Sequence, residues 1–404
     1  MWPVEQRIPL VGAVLLCAAL LWPEQPARAQ FTQQGPKLVG GNAIGAAEQG
    51  RSVALSADSS WVIVGGPTDN NNAGAVWFFV RSGRTWVSFQ KLSATDAGAH
   101  AQQGYSVALS ADGTTAIEGG PPDNGNTGAA WVFTLSNGVW SPQTTKLVGS
   151  NAKGSAQQGT RVALSADGNT AIVGGPYDNC CDSNGFGVGA AWVFTRSGGW
   201  FEEAKLVASN ATGNAGQGSV ALSADGNTAI VGGPFDNGFA GAAWVFTRKG
   251  GTWSQQAKLF GNDAMGNAEQ GFSVALSADG GAAWVFTRSG GVWSQQGNKL
   301  VASDAMGNAE QGYSVALFCN AAIVGGLFDN SPAPGSAAGA AWAFVRPATA
   351  THDFSCDGMS DILWWNSTTG QAVIWLMKGS SVVGGGSPGS PPTDWAIVGQ
   401  RLQP

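Results

Sequence analysis

The sequence predicts an all-β protein, a β-propeller built from four-stranded antiparallel blades. Three observations carry this. A unit of four strand signals recurs along most of the chain. The composition suits strands and tight turns: of 404 residues 61 are Gly and 18 are Trp, and only 11% are charged. No apolar period of 3.6 residues runs through the repeats, which excludes a helical solenoid. Units of this size, repeated radially, protect their own sheet edges.

Met1–Ala29 reads as an export signal. Arg7 supplies the positive start, Leu10–Leu21 is apolar but too short to span a membrane comfortably, and Ala27-Arg28-Ala29 gives a small-residue cleavage pattern. Phe31–Leu38 matches the end of a later repeat without its beginning. The closing Lys-Leu of each unit then falls at Lys37, Lys91, Lys146, Lys205, Lys258 and Lys299, in steps of 54, 55, 59, 53 and 41 residues.

The unit ending at Leu259 shows the plan. Strand a is Ser219–Leu222, followed by an Ala-Asp-Gly-Asn turn whose Gly tolerates positive φ. Strand b is Thr228–Gly233, with small residues that suit the crowded centre. A Pro-x-Asp-Asn loop leads to strand c, Gly241–Thr247, and a short turn leads to strand d with its second Trp. The strand-c residues Trp77, Trp131, Trp192, Trp244, Trp284 and Trp342 are expected to fill space between blades. The closing lysines, on the outermost strand, are expected to discourage edge-to-edge pairing. In an up-down blade the a–b and c–d turns share one face. The b–c and d–a loops share the other, which has the variety to bind a partner.

Two units depart from the plan. In the fifth, Asp279-Gly280 runs straight into Gly281-Ala282-Ala283-Trp284, which deletes strand b and predicts a thin blade. The sixth ends after strand c, near Arg346, and the spare segment Phe31–Leu38 can supply its missing strand d. Six blades over 30–346 follow, or seven if the last segment joins the ring. Residues 347–352 read as a linker, and 353–404 as one blade-sized unit of another repeat type.

Net charge is −6, so nothing suggests nonspecific nucleic-acid binding. After the leader no apolar run is long enough to cross a bilayer. The four cysteines beyond the leader, Cys180, Cys181, Cys319 and Cys356, sit irregularly and do not read as a disulfide scaffold or zinc site. The Asp-Asn pairs at Asp69, Asp123, Asp178, Asp236 and Asp329 read as loop-shaping residues, since short Asx side chains bond nearby backbone N–H groups. His100 and His352 lie far apart, and no nucleophile elbow appears. Glu118 replaces the Val of Val173 and Val231 in strand b, and is read as a tolerated variation or a residue solvated in the central channel.

Gln103–Leu109, followed by Gly119-Gly120-Pro121, resembles the FG-GAP repeat. That family includes the propeller of integrin alpha chains and many secreted bacterial proteins. The tail, from Asp353 to Ile362, is similar to a VCBS-type FG-GAP unit. The resemblance implies a Ca²⁺ loop there, with oxygens from Asp353, Ser355, Asp357 and Asp361 and the Met359 carbonyl. Gly358 permits the turn, and hard oxygen ligands suit this cation. The Ala-Asp-Gly-Asn turns lack the alternating carboxylates, so no calcium is expected at Asp112, Asp167, Asp225 or Asp279. The expected function is extracellular interaction with a protein or glycan, without catalysis. The alternative is a propeller hydrolase or lyase acting on a polymer.

Overall fold

The computed structural model describes residues 36–275, apart from 84, 144, 181–184, 186 and 265. Beyond them it describes 286–289, 292–295, 300, 311–318, 321–326, 340–345, 362–366, 372–378, 381–385 and 395–397. The leader, residues 30–35, the 347–352 linker, His352, Asp329-Asn330 and the whole calcium set Asp353, Ser355, Asp357, Met359 and Asp361 lie outside the described residues. The chain divides into two compact units, Met1–Lys37 and Leu38–Pro404, and every described strand belongs to the second.

Four sheets have the expected four strands in sequence order. They are β1 (Ser52–Leu55), β2 (Trp61–Gly66), β3 (Ala75–Ser82) and β4 (Thr85–Leu92), then β5 (Ser106–Leu109), β6 (Thr115–Gly120), β7 (Ala129–Ser136) and β8 (Val139–Pro142). The third has β9 (Arg161–Leu164), β10 (Thr170–Gly175), β11 (Ala190–Arg196) and β12 (Trp200–Leu206). The fourth has β13 (Ser219–Leu222), β14 (Thr228–Gly233), β15 (Ala242–Lys249) and β16 (Thr252–Leu259). The fifth unit contributes two described strands, β17 (Phe286–Ser289) and β18 (Val292–Gln295). The sixth contributes three, β19 (Gln311–Phe318), β20 (Ala321–Gly326) and β21 (Ala340–Val345). This is the β-propeller plan, with two described strands in the fifth unit and three in the sixth. The tail forms a sheet of β22 (Ile362–Asn366), β23 (Ala372–Lys378), β24 (Ser381–Gly385) and β25 (Trp395–Ile397), in which β25 returns to pair with β22.

One expectation about the centre is corrected. Strand a, not strand b, is innermost: β1 neighbours β5, β5 neighbours β9, and β9 neighbours β13. The small residues of strand b have a different cause. A Cβ on Gly119 would lie 2.0 Å from the Gly159 carbonyl oxygen of the next blade, and one on Gly174 would lie 1.9 Å from that of Gly218. The double glycines therefore let the next blade's loop backbone press against strand b. Ser52 and Ser106 hydroxyls donate to the Gly104 and Gly159 carbonyls at 2.8 Å, which fastens the same contact.

The core lies between blades. Trp77, Trp131, Trp192 and Trp244 are at most 1% exposed, as the strand-c pattern predicted. On the tight-turn face, the Ala57 N–H donates to the Ala111 carbonyl, Ala111 to Ala166, and Ala166 to Ala224, each at 2.9 Å. These bonds tie the a–b turns of four successive blades into a belt. In strand d of the first, third and fourth blades the register slips at one position. The bulged residues are Phe89, Glu203 and Gln256, each three after the strand-d Trp. A bulge turns its side chain away from the pleat: Glu203 reaches Arg248 of the following blade, whereas Phe89 packs edge-on against Trp61 of its own blade.

Candidate functional site: the loop face

The repeated Asp-Asn pairs divide between scaffold and surface. Asp69, Asp123, Asp178 and Asp236 are buried, at most 2% exposed, while Asn70, Asn124, Asn179 and Asn237 beside them are exposed. Each Asp holds two distant pieces of its blade. Its Oδ1 accepts a backbone N–H from the preceding d–a loop: Ile44, Gly98 and Lys153 at 2.7 Å, and Thr212 at 2.6 Å. Its Oδ2 lies 2.6 Å from a closing lysine, in the pairs Lys91–Asp69, Lys146–Asp123, Lys205–Asp178 and Lys258–Asp236. The loop-shaping role expected of these aspartates holds, but their partners are far away in sequence.

The closing lysines are corrected with them. Their charge is not set out along an edge. Lys91, Lys205 and Lys258 lie over the faces of Trp77, Trp192 and Trp244, 5.0–5.3 Å from the ring centroid. The stem packs on the indole and the ammonium meets the buried carboxylate.

Beyond each Asp the chain turns left-handed. Asn70 and Asn71 have φ of 49° and 57°, Asn124 has 52°, and Asn237 has 51°. Asn tolerates this region better than other residues with side chains. A rigid apex therefore presents an exposed amide on each of four blades. His100 joins this face through its Nδ1, 2.9 Å from the Asn71 carbonyl oxygen.

A second repeated residue went unread in the sequence. The Gln103 amide clasps the peptide of Ala94: its Oε1 accepts the Ala94 N–H at 2.5 Å, and its Nε2 donates to the Ala94 carbonyl at 3.3 Å. Gln49 and Gln158 clasp Gly40 and Gly149 in the same way. The Oε1 atoms of Gln217 and Gln270 take the N–H groups of Ala208 and Gly261. The clasp closes every described d–a loop. Its signal was present, a Gln nine residues after the clasped peptide and always directly before Gly in these loops.

The Ala-Asp-Gly-Asn turns have their own closure on the opposite face. Ser110 donates to Asp112 at 2.6 Å, and Ser223 to Asp225 at 2.5 Å. The Ser223 hydroxyl, with the Asn227 N–H, holds the Asp225 carboxyl below its usual range against the opposing effect of burial. Asp279 lies outside the described residues. Among the described residues no three His, Cys, Asp or Glu side chains gather as a metal site.

Glu118 is fully buried, and both carboxylate oxygens lack a hydrogen-bond partner among the described residues. It lies opposite Val107 and Trp131 in the sheet, where Val173 and Val231 stand in later blades. The reading as a solvated channel residue is therefore corrected. Desolvation pushes its carboxyl well above the usual carboxylate range. Cys180, near an apex, is disulfide-bonded.

Residues 86–133 and 293–344 match the family model of the FG-GAP repeat. The chain carries FG-GAP repeats. Each matched FG-GAP segment begins on strand d of one unit and ends on strand c of the next, so it contains one complete junction between units. No curated protein matches the chain. Solved structures similar to it include a Lactobacillus plantarum protein, at 14% identity over 85% of this chain and 86% of that one, with a TM-score of 0.40. A putative 6-phosphogluconolactonase from Bacteroides uniformis is 13% identical over 73% and 85%, also with a TM-score of 0.40. Kuenenia stuttgartiensis hydrazine synthase is 17% identical over 48% of this chain, with a TM-score of 0.33, and the chain spans 51% of its length. Among the described residues no helix is long and apolar enough to cross a membrane.

Proposed function

We propose that this FG-GAP repeat protein is a secreted, non-enzymatic propeller that mediates interaction with an extracellular protein or glycan, in the manner of an adhesion module. The observation that carries the reading is the split of the Asp-Asn pairs. The carboxylates are taken up inside the blades, whereas the asparagines stand exposed on rigid apices of one face. Preorganised amides lose little entropy on binding and hydrogen-bond both peptides and sugar hydroxyls. Export is supported by the leader pattern and by the disulfide at Cys180, which suits an oxidising compartment. Calcium at the tail loop belongs to the same proposal.

The test is a glycan and extracellular-protein array probed with the purified protein. The companion variant replaces Asn70, Asn124, Asn179 and Asn237 by Gly, which keeps positive φ and removes the amides. The expected result is a hit that the variant loses while its melting temperature holds. A hit that the variant retains at full strength overturns the loop-face reading.

A further inference from the structure

The junction between the second and third blades differs from its neighbours. A cleft of about 910 Å³ opens there, lined by Gln143, Asn169, Arg196, Trp200 and Phe201 among others. It runs along the outer strands, from the Gly198-Gly199 turn to Lys146 and Val148, and none of the exposed loop-face asparagines lines it.

The junction of the third and fourth blades shows what closes such a space. There the bulged Glu203 reaches across. Its Oε2 accepts from Arg248 Nη1 at 2.8 Å and from Trp253 Nε1 at 3.1 Å. Arg248 is steadied by its Nε bond to Asn227 Oδ1 at 2.9 Å, and its guanidinium lies 5.4 Å from the Trp253 ring centroid. Arg196, Asn169 and Trp200 repeat this arrangement one blade earlier. Arg196 Nε donates to Asn169 Oδ1 at 2.9 Å, and the guanidinium lies 5.7 Å from the Trp200 ring centroid.

What is missing is the carboxylate. By position the reaching residue should be Gln143, three after Trp140. In the second blade, however, one extra residue separates this Trp from the closing Leu147, and β8 ends at Pro142, which has no N–H to donate. Trp200 Nε1 is buried without an acceptor, and neither Arg196 Nη has a partner among the described residues. The first junction lacks a reaching acid too, but it is filled. Phe89 stands at the bulge, and Trp140 stacks on Phe78 at 4.3 Å. Of these three junctions only the second holds both an arginine–tryptophan pair without its acid and room for a ligand.

We propose that this cleft binds a carboxylate carried by an acidic sugar, which takes the place that Glu203 fills at the next junction. The carboxylate accepts from the Arg196 Nη groups, a charge-assisted pairing, with the guanidinium held over the Trp200 ring. The sugar ring meets Phe201, which is 60% exposed at the mouth, over the side-chain-free stretch Gly198-Gly199. An exposed aromatic beside planar polar groups favours a sugar ring over an extended acidic peptide. The proposal goes beyond the loop-face reading and uses none of its residues.

Calorimetric titration of the purified protein tests it, with tetragalacturonic acid, its methyl ester and a tetraglutamate peptide as probes. The acid is expected to bind, and the uncharged ester at least about tenfold more weakly. Arg196→Gln and Phe201→Ala should each weaken binding of the acid while their melting curves show a folded protein. The four-Gly loop variant should bind it as the parent does, which separates this site from the loop face. Equal binding of ester and acid, binding of the peptide alone, an unchanged affinity in a folded R196Q, or no binding of the acid would each overturn the proposal.

Discussion

Lys146 Nζ lies 2.6 Å from Asp123 Oδ2 and 3.2 Å from the Asp96 carbonyl oxygen. Through these contacts the segment that follows β8 holds the second blade's b–c loop to the d–a loop before it. The Asp123 carboxylate has no exposed surface, while the Lys146 side chain keeps 24% of its own. Removing the acid alone strands a partly buried ammonium. Asp123→Ala should therefore lower stability by about 2 kcal/mol, less than the cost for a fully buried pair because the lysine still reaches water. Replacing both partners, Asp123→Ala with Lys146→Met, should recover part of the loss. Chemical denaturation measures both. Additive losses in the double variant would show that the two side chains are not coupled.

Gly119 faces a backbone oxygen rather than a side chain. A methyl group there would meet the Gly159 carbonyl at 2.0 Å, and backbone cannot swing aside. Gly119→Ala should force the second and third blades apart and cost about 3 kcal/mol or more. Gly125 has nothing within 4 Å, so Gly125→Asn, a residue that accepts its φ of 66°, serves as the neutral control. A G119A protein that melts with the parent would mean the blades do not approach this closely.

The strand plan was legible because Trp, Val and Gly recur at fixed places in each unit. The junctions were not. A lysine at the end of an outer strand looks like an edge charge until the fold brings a buried Asp, 22 residues earlier in the first blade, beneath it. Glycines of strand b look like residues for a crowded axis, because sequence does not say which backbone lies against them. The Gln clasp was hidden for a simpler reason. It sits in a loop motif already assigned to the surface. Arg196 and Trp200 carried no signal alone, and they acquire meaning only beside Arg248, Trp253 and Glu203.

The tail loop gives a prediction of its own. If Asp353, Ser355, Asp357, the Met359 carbonyl and Asp361 hold Ca²⁺, the ion stabilises the folded tail by mass action. Calcium should raise the melting temperature of the parent, and a chelator should reverse the shift. Asp357→Ala should show neither effect. Differential scanning calorimetry decides the matter, and an equal response in parent and variant would remove the assignment.

Glu118 gives the last prediction, and its sign follows from its surroundings. The carboxyl is buried without a hydrogen-bond donor among the described residues, and desolvation raises its folded pKa well above 4.5. In the unfolded chain it titrates near the ordinary value, about 4.3. Below that pH it is protonated in both states and costs only the burial of a neutral polar group. Above it, the unfolded chain releases the proton while the folded one retains it. Stability then falls as pH rises, until the folded pKa is passed. Glu118→Val restores the residue found at Val173 and Val231, and should raise stability at every pH. The gain should be about 1–3 kcal/mol in acid, where only the unpaired neutral group is removed. It should grow steadily from about pH 4.3 toward neutrality. Glu118→Gln should show no such pH dependence relative to Glu118→Val. Urea denaturation of the three proteins between pH 4 and pH 8 measures these differences. A parent–E118V difference that stays flat across that range would mean the carboxyl finds water or a counter-charge in solution.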